Sequence, residues 1–316
     1  MPVWLITGGS GFLGRHLLAR IGAAPPVGVE AVAIGRRPPA GLPFGSFIPV
    51  DLDDREGVHR AVSRVGPDVT FHLAGRTPPA SPAELYRSNT MATVHLLDAL
   101  RDSGRRTRVV LVGSAAELGP VAVEDLPVGE DYPCRPGDPY GLSKWLATAA
   151  GLAARPPMEV VVARVFNPIG PGLPGSQALG RFAQVLASGS GPIRLAVGDL
   201  DARRDFVDAR DVARALLALA DRGLPGRAYH VGTGRSSRVG DGLDRLIALS
   251  GRVVTVDVDP GLARPRGPSD SRADVRSIAA DAGWSAEIAW DRSIRDLWDD
   301  AVARSRAGLT DRGPFV

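Results

Sequence analysis

The sequence predicts an α/β fold: a doubly wound, mainly parallel sheet of about seven strands, followed by a smaller C-terminal α/β domain. Two observations carry the prediction. Short apolar runs of strand type alternate with stretches of helical pattern. The first run, Val3-Trp4-Leu5-Ile6, passes directly into Thr7-Gly8-Gly9-Ser10-Gly11-Phe12-Leu13-Gly14 and then into a helical pattern from about Arg15 to Ile21. Strand, glycine turn and helix in this order form the context of a dinucleotide-binding, Rossmann-type unit. A chain of 316 residues, 44% hydrophobic and 23% charged, has material for a large core and one to two domains.

The glycines of the turn have separate uses. Gly8 permits the tight turn, Gly11 lets the backbone approach a pyrophosphate, and Gly14 lets helix and strand pack closely. Phe12 and Leu13 sit where the helix N-terminus offers free N–H groups to phosphates. The second strand, Glu30 to Ile34, ends in Gly35-Arg36-Arg37. An acid here would hold a ribose 2′-hydroxyl; none is present, and two guanidiniums can pair with a 2′-phosphate, which favours NADP(H) over NAD(H). Phe47 to Val50 leads to Asp51-Leu52, a strand end suited to the adenine side. The next strand runs from Asp68 to Gly75 and ends in Leu73, Ala74 and Gly75, small enough together for a cofactor to pass. His72 within it reads as a strand residue with a satisfied imidazole. Pro78 to Pro82 is a proline-rich loop placed to border a substrate, and Tyr86 to Leu100 reads as a helix with Asn89 near its start. Val109 to Ser114 is a buried strand with Ser114 at its carboxyl end, where open parallel sheets bind ligands. A long loop rich in Pro and acids, Pro120 to Asp138, follows.

Pro139-Tyr140-Gly141-Leu142-Ser143-Lys144-Trp145 opens the next helix and contains the only lysine among the 38 Lys and Arg residues. Arginine is a wide fork that stays charged; lysine is a compact ammonium whose pKa can move. A lone lysine in an arginine-only chain marks a site that needs the compact group. Tyr140, four residues earlier, shares its helix face. A nearby ammonium favours phenolate and lowers the phenol pKa from about 10, so the hydroxyl can pass a proton near neutral pH.

Composition excludes several classes. Net charge is +3 with pI near 9.5, and the charges are mixed along the chain, which is no nucleic-acid footprint. The single cysteine, Cys134, excludes an internal disulfide framework and a cysteine-rich metal site, and no metal is expected. The N-terminus enters a strand without a signal-peptide pattern, and no apolar run approaches the roughly 20 residues of a membrane span, so a soluble cytoplasmic protein is expected.

Thr-Gly-x-x-Gly-Phe-x-Gly at 7–14, Ser114, and Tyr140 with Lys144 together resemble the extended short-chain dehydrogenase/reductase family over essentially the whole chain. The resemblance implies that Ser114 and Tyr140 hydrogen-bond a sugar hydroxyl or ketone, with Ala115 beside them. It implies that Lys144 bonds the nicotinamide ribose and lowers the Tyr140 pKa, and that Asp51, Leu52 and Gly75 line the cofactor. Val161 to Gly172 matches the family's Arg-x-x-Asn-x-x-Gly-Pro segment, which puts Asn167 on a sugar diphosphate. Val197 to Asp208 contains the Arg-Asp-Phe core that puts Arg204 on the nucleotide, and Asp259 to Pro265 resembles a loop whose arginine, Arg264, pairs with the diphosphate. Bidentate guanidinium suits two mobile phosphates. The longest close match, across 164–172 and 197–212, is to the GDP-4-keto-6-deoxymannose reductase group.

Departures narrow the reaction. Ser114 is followed by Ala115-Ala116 where sugar dehydratases carry an acidic pair, and Glu117 is one place too far along. Elimination then lacks its proton shuttle. Leu118 replaces the tyrosine usual before Gly119, which would reshape the sugar pocket. The missing second-strand acid weighs against a 4-epimerase that retains NAD. The expected activity is NADPH-dependent reduction of the 4-keto group of a nucleotide-diphosphate 4-keto-6-deoxy sugar. The alternatives are an NAD(P)-dependent NDP-sugar 4-epimerase, a reductase of a non-sugar carbonyl, and a non-catalytic NADP(H)-binding protein. The expected division is an NADP-binding domain at 1–165, rejoined at about 206–232, and a nucleotide-sugar domain at 166–205 and 233–316. A homodimer through the helices near 86–100 and 140–153 is implied by the resemblance.

Overall fold

The computed structural model describes residues 1–42, 45–262 and 270–309. Strands β1 (Val3–Thr7), β2 (Glu30–Gly35), β3 (Gly45–Pro49), β4 (Val69–His72), β5 (Thr107–Ser114) and β6 (Met158–Val165) form one sheet with a seventh strand, Ala228–Val231. The order is seventh strand, β6, β5, β4, β1, β2, β3, and every neighbouring pair is parallel. The expected parallel α/β sheet is borne out. Strand order reverses around β1, which lies between β4 and β2, so a crevice opens at the carboxyl ends there. The register sets Thr7 level with Ile34 and His72, and Ser114 level with Val165.

The strands read as continuous apolar runs because both faces of the sheet are covered. On one face Leu17, Leu18 and Ile21 of α1 (Phe12–Ala23) pack with Val212, Leu216 and Leu219 of the helix Ala209–Arg222. On the other, Val58 and Val62 of the helix Arg55–Val65 meet Leu96 and Leu100 of the helix Ala92–Asp102. A third core, with Phe182, Leu243, Leu246, Ile294 and Leu297, joins the helices Ala178–Ala187, Val239–Ser250 and Trp290–Arg306 under the parallel ladder Ile193–Val197/Val254–Val258. Phe12, in the first turn of α1, packs against this third core. One turn on, His16 donates to the Pro171 carbonyl at 3.0 Å and Arg15 to that of Gly172 at 3.2 Å.

Several expectations need adjustment. The strand expected to reach Gly75 ends at His72. The helix expected across 86–100 is a π-helical turn, Tyr86–Met91, followed by the α-helix from Ala92. Outside the main sheet, Phe206–Asp208 forms a short parallel ladder with Asn167–Ile169. Beyond residue 233, Ile278, Ala282 and Trp284 are buried in the core of the main sheet beside Tyr229 and Val231. An amphipathic helix shows which of its faces is buried, but not against which core. No helix among the described residues is long and apolar enough to cross a membrane.

The glycine turn is packed to contact. Gly8 has φ +71°, and a Cβ on it would stand 2.5 Å from the Ala74 nitrogen; a Cβ on Gly14 would collide with the Gly8 carbonyl and lie 2.7 Å from Gly9 Cα. Gly14→Ala is expected to cost about 1–3 kcal/mol of stability by overpacking. Gly129→Ala, at a glycine with open space around its Cα, should change little. Urea denaturation of both variants checks this.

Candidate active site

The site is assembled where β5 ends and the helix Pro139–Leu152 begins. After Ser114 the chain makes a 3₁₀ turn, Ala115–Glu117, closed by reciprocal hydrogen bonds. Ser114 Oγ accepts from the Ala116 N–H at 3.2 Å, and Glu117 Oε1 accepts from the Ser114 N–H at 2.7 Å. Asp138 caps the helix by accepting from the Gly141 N–H at 2.8 Å, and Pro139 occupies its first turn, where a missing N–H does no harm. Gly141 lets the helix rest on this turn, since a Cβ there would run into the Ala116 carbonyl. Tyr140, Lys144 and Thr148 follow at four-residue intervals and share one face.

Lys144 is 8% exposed and donates to the Val112 carbonyl of β5 at 2.6 Å. A Cβ on Gly75 would lie 3.9 Å from its Nζ, so the ammonium sits beneath the loop that ends β4. Burial lowers its pKa from the ordinary lysine value, and the negative charge of Glu117 opposes that shift. The structure thus brings Ser114, the Tyr140 helix, Lys144 and Gly75 together.

His72 is satisfied, as the sequence suggested, and its tautomer follows from its partners. Thr93 Oγ1 donates to the Asn89 carbonyl at 2.6 Å, so it can only accept from His72 Nε2, 3.0 Å away. Nδ1 therefore accepts from Thr7 Oγ1 at 2.6 Å, and Thr7 Oγ1 accepts in turn from the Ala74 N–H at 3.2 Å. Burial, with the Lys144 charge added, takes the imidazole pKa down to about 3. Asn89, fully buried in the π turn, accepts from the Arg76 N–H at 2.6 Å and donates to the Arg76 carbonyl at 3.0 Å and to Ser143 Oγ at 2.8 Å. It clamps the loop after β4 to the Tyr140 helix. Sequence reasoning located Asn89 without this role; the π turn itself leaves no mark on the apolar pattern.

A charged cluster lies beneath Ser114. Glu117 Oε2 accepts from Arg164 Nε at 3.0 Å and Oε1 from Thr148 Oγ1 at 3.0 Å; the two charged side chains are 0% and 4% exposed. Arg164 also donates to His230 Nε2 at 3.2 Å and to Cys134 Sγ at 3.3 Å. Guanidinium can only donate, so His230 Nε2 accepts and its Nδ1 donates to the Val128 carbonyl at 3.1 Å. Burial, together with the Arg164 charge, takes the His230 pKa down to about 3. Glu117, too far along the chain to match an elimination acid, is locked in the interior. Leu118 is buried with Val128, Phe166 and Ala273, so the missing tyrosine is replaced by core packing under the 120–138 loop.

The remaining candidates lie around these groups. Arg36 and Arg37 are exposed after β2 and make no hydrogen bond or ion pair among the described residues. Asp51 is exposed and accepts from the Asp53 N–H at 3.1 Å; Leu52 is buried, its carbonyl accepting from the His95 ring at 3.0 Å. Leu73 donates its N–H to the Thr7 carbonyl at 3.2 Å, and Leu13 is half-buried in the first turn of α1. Asn167 follows β6 and donates from its side chain to the Asp205 carbonyl at 3.3 Å. Arg204, next to Asp205, pairs with Ser237 in a short ladder, and one of its guanidinium nitrogens donates to the Arg203 carbonyl at 2.7 Å. Arg264 lies outside the described residues. Among the described residues no group of three His, Cys, Asp or Glu side chains could hold a metal ion.

The two depressed imidazoles contribute to the acid side of the stability profile. An unfolded histidine takes a proton near the ordinary 6.5, whereas these two do so only near 3 when folded. Over that window the unfolded chain binds more protons, so stability falls as pH falls, by up to about 1.4 kcal/mol per pH unit for each histidine. Urea unfolding at pH 7 and pH 5 should show this loss, and the loss should shrink in His72→Gln and in His230→Gln.

Comparison with known proteins places the chain in a family. The NAD dependent epimerase/dehydratase family model matches residues 4–232. The GDP-6-deoxy-D-mannose reductase of Pseudomonas aeruginosa is 31% identical over 310 residues, spanning 95% of this chain and 97% of that protein. The dTDP-6-deoxy-L-talose 4-dehydrogenase (NAD(P)(+)) of Kitasatospora kifunensis is 32% identical over 307 residues, 93% of each chain. The solved structure of RMD from Pseudomonas aeruginosa complexed with NADPH aligns with a TM-score of 0.82 at 29% identity, covering 96% of this chain and 100% of that one. With the glycine turn, the parallel sheet and these matches over nearly its full length, the chain belongs to the NAD-dependent epimerase/dehydratase family and is an NAD(P)-dependent oxidoreductase of the extended short-chain dehydrogenase/reductase type.

Proposed function

We propose that the protein uses NADPH to reduce the 4-keto group of a nucleotide-diphosphate 4-keto-6-deoxy sugar. The observation that carries the reading is that Ser114 ends β5 beside the helix that carries Tyr140 and Lys144, while β2 is followed by two exposed arginines and no carboxylate. Two of the most similar relatives are named for GDP- and dTDP-linked 6-deoxy sugars, and the RMD structure contains NADPH. The residues present fit such a cofactor. Gly11 caps α1 without a side-chain hydrogen bond, leaving the N-terminal N–H groups of the helix for a pyrophosphate. Arg36 and Arg37 suit a 2′-phosphate, and Gly75 lets a ribose approach Lys144.

The bound nicotinamide supplies the hydride. In our reading Tyr140 gives its hydroxyl proton to the oxygen as it becomes an alkoxide, and Ser114 donates a hydrogen bond to the same oxygen. Lys144 holds the ribose, and its charge stabilises the phenolate that Tyr140 becomes. Asn167, Arg204 and Arg264 take the diphosphate and nucleotide. GDP is the favoured nucleotide. The protein acts as a cytoplasmic homodimer through the helices near 86–100 and 140–153, where Met91 and Leu146 are exposed apolar residues.

The decisive assay is NADPH against NADH oxidation on GDP- and dTDP-4-keto-6-deoxy sugars. NADPH should be consumed in preference, and Arg36→Ala with Arg37→Ala should narrow that preference; no oxidation with any sugar would overturn the reading. Tyr140→Phe should lower kcat by about 10²–10⁴-fold with NADPH affinity nearly unchanged. A Tyr140→Phe enzyme that keeps most of its rate removes the proton-donor role. Arg204→Ala should raise KM for the nucleotide sugar more than it lowers kcat.

A further inference from the structure

We propose that Glu117 is the positioning residue for Ser114, holding the serine turn in place from below through a buried bond to its backbone N–H. The proposal rests on the reductase reading above for its kinetic consequence, though not for its geometry. Ser114 is the last residue of β5, and beyond it only a 3₁₀ turn carries its hydroxyl. Ser114 Oγ is the acceptor for the Ala116 N–H at 3.2 Å, so the hydroxyl's orientation depends on the shape of that turn.

Glu117 fixes the shape. Its Oε1 takes the Ser114 N–H at 2.7 Å, and the same oxygen takes Thr148 Oγ1 at 3.0 Å. Thr148 is one helical turn beyond Lys144, on the face that carries Tyr140. Oε2 is held by Arg164 Nε at 3.0 Å, and Arg164 belongs to β6, three residues before Asn167. One carboxylate therefore touches the serine turn, the Tyr140 helix and the strand that leads to the sugar-side segment. Gly113 makes room for it, since a Cβ there would lie 2.6 Å from Glu117 Oε1. Glu117 cannot reach a substrate, because it is fully buried and its partners occupy both oxygens. Its influence on the reaction passes through the residues it holds and through its charge, which acts on Lys144; both double variants below remove that charge alike, so the difference between them reads the bond.

The test separates the bond to Ser114 from the charge on Glu117. Removing one member of a buried ion pair strands the other, whereas replacing both with uncharged residues is tolerated far better. The comparison is therefore E117Q/R164M, which keeps an acceptor for the Ser114 N–H, against E117L/R164M, which does not. Thermal melting and NADPH binding, followed by fluorescence, establish that both double variants are folded. The glutamine variant should keep kcat within about threefold of the parent, while the leucine variant should lose about 10–100-fold in kcat with KM little changed, as expected when a reacting group is misplaced. In a Ser114→Ala background the difference between them should vanish, because Glu117 acts through Ser114. A purely structural role would leave the difference in place, and that result overturns the proposal.

Hydrogen exchange of the segment 107–118 needs no substrate and reads the same bond. Protection at Ser114 should survive in the glutamine variant and fall in the leucine variant. If the parent enzyme leaves every 4-keto sugar untouched while exchange still separates the two variants, the sugar reading fails and the hold of Glu117 on Ser114 stands. Equal exchange in the two variants overturns the proposal whatever the substrate.

Discussion

Asp205 is a carboxylate with no solvent exposure that accepts hydrogen bonds from Thr233 N–H and Oγ1, at 2.7 and 2.6 Å, from Gly234 N–H at 2.9 Å and from Ala273 N–H at 3.1 Å. Burial pushes its pKa up, and these bonds work against that shift. Its backbone is engaged as well: its N–H donates to the Ser271 carbonyl, and its carbonyl accepts from the Asn167 N–H. One residue thereby ties the end of β6, the turn after the seventh strand and the 271–273 segment into a single knot. The 120–138 loop is fastened to the same place, because Val128 exchanges backbone hydrogen bonds with Arg272 and Asp274. The position of Asn167 and Arg204 relative to the sheet is set here, and so is the floor on which the long loop lies.

A second constraint is electrostatic. The interior around β4, β5 and β6 holds an ammonium, a guanidinium, a carboxylate and two imidazoles, a costly set to bury. The molecule manages it by fixing what each may do. The imidazoles are held neutral by partners that specify their tautomers, so neither adds positive charge beside Lys144 or Arg164. Glu117 is the carboxylate whose charge both cations share. The chain uses the strength of buried hydrogen bonds to stiffen the region where β5 ends and the Tyr140 helix begins.

Much of this was legible in the sequence, and what was legible is local. The glycine turn declares itself within eight residues, Tyr140 and Lys144 by one helical interval, and Ser114 by its place after an apolar run. Each signal comes from spacing along one element. Asn89, Glu117 and Asp205 were not legible as organising residues because their partners are remote: Ser143 is 54 residues from Asn89, Arg164 is 47 from Glu117, and Ala273 is 68 from Asp205. No periodicity reports on such pairs. The same limit applies after residue 233. The helix Arg276–Ala282 has an apolar face that would suit either core, and only the tertiary arrangement assigns it to the main sheet.

The arginine-only composition has a practical corollary. Apart from the α-amino group, the chain offers a single primary amine, and that amine is the buried Nζ of Lys144. Acylating or alkylating reagents aimed at lysine find no decoy on the surface. The rate at which such a reagent consumes Lys144 therefore reports how often the interior around β5 opens to solvent, and anything seated over Gly75 should slow it. The scarcity of one residue type turns a position deep in the molecule into its own chemically addressable reporter.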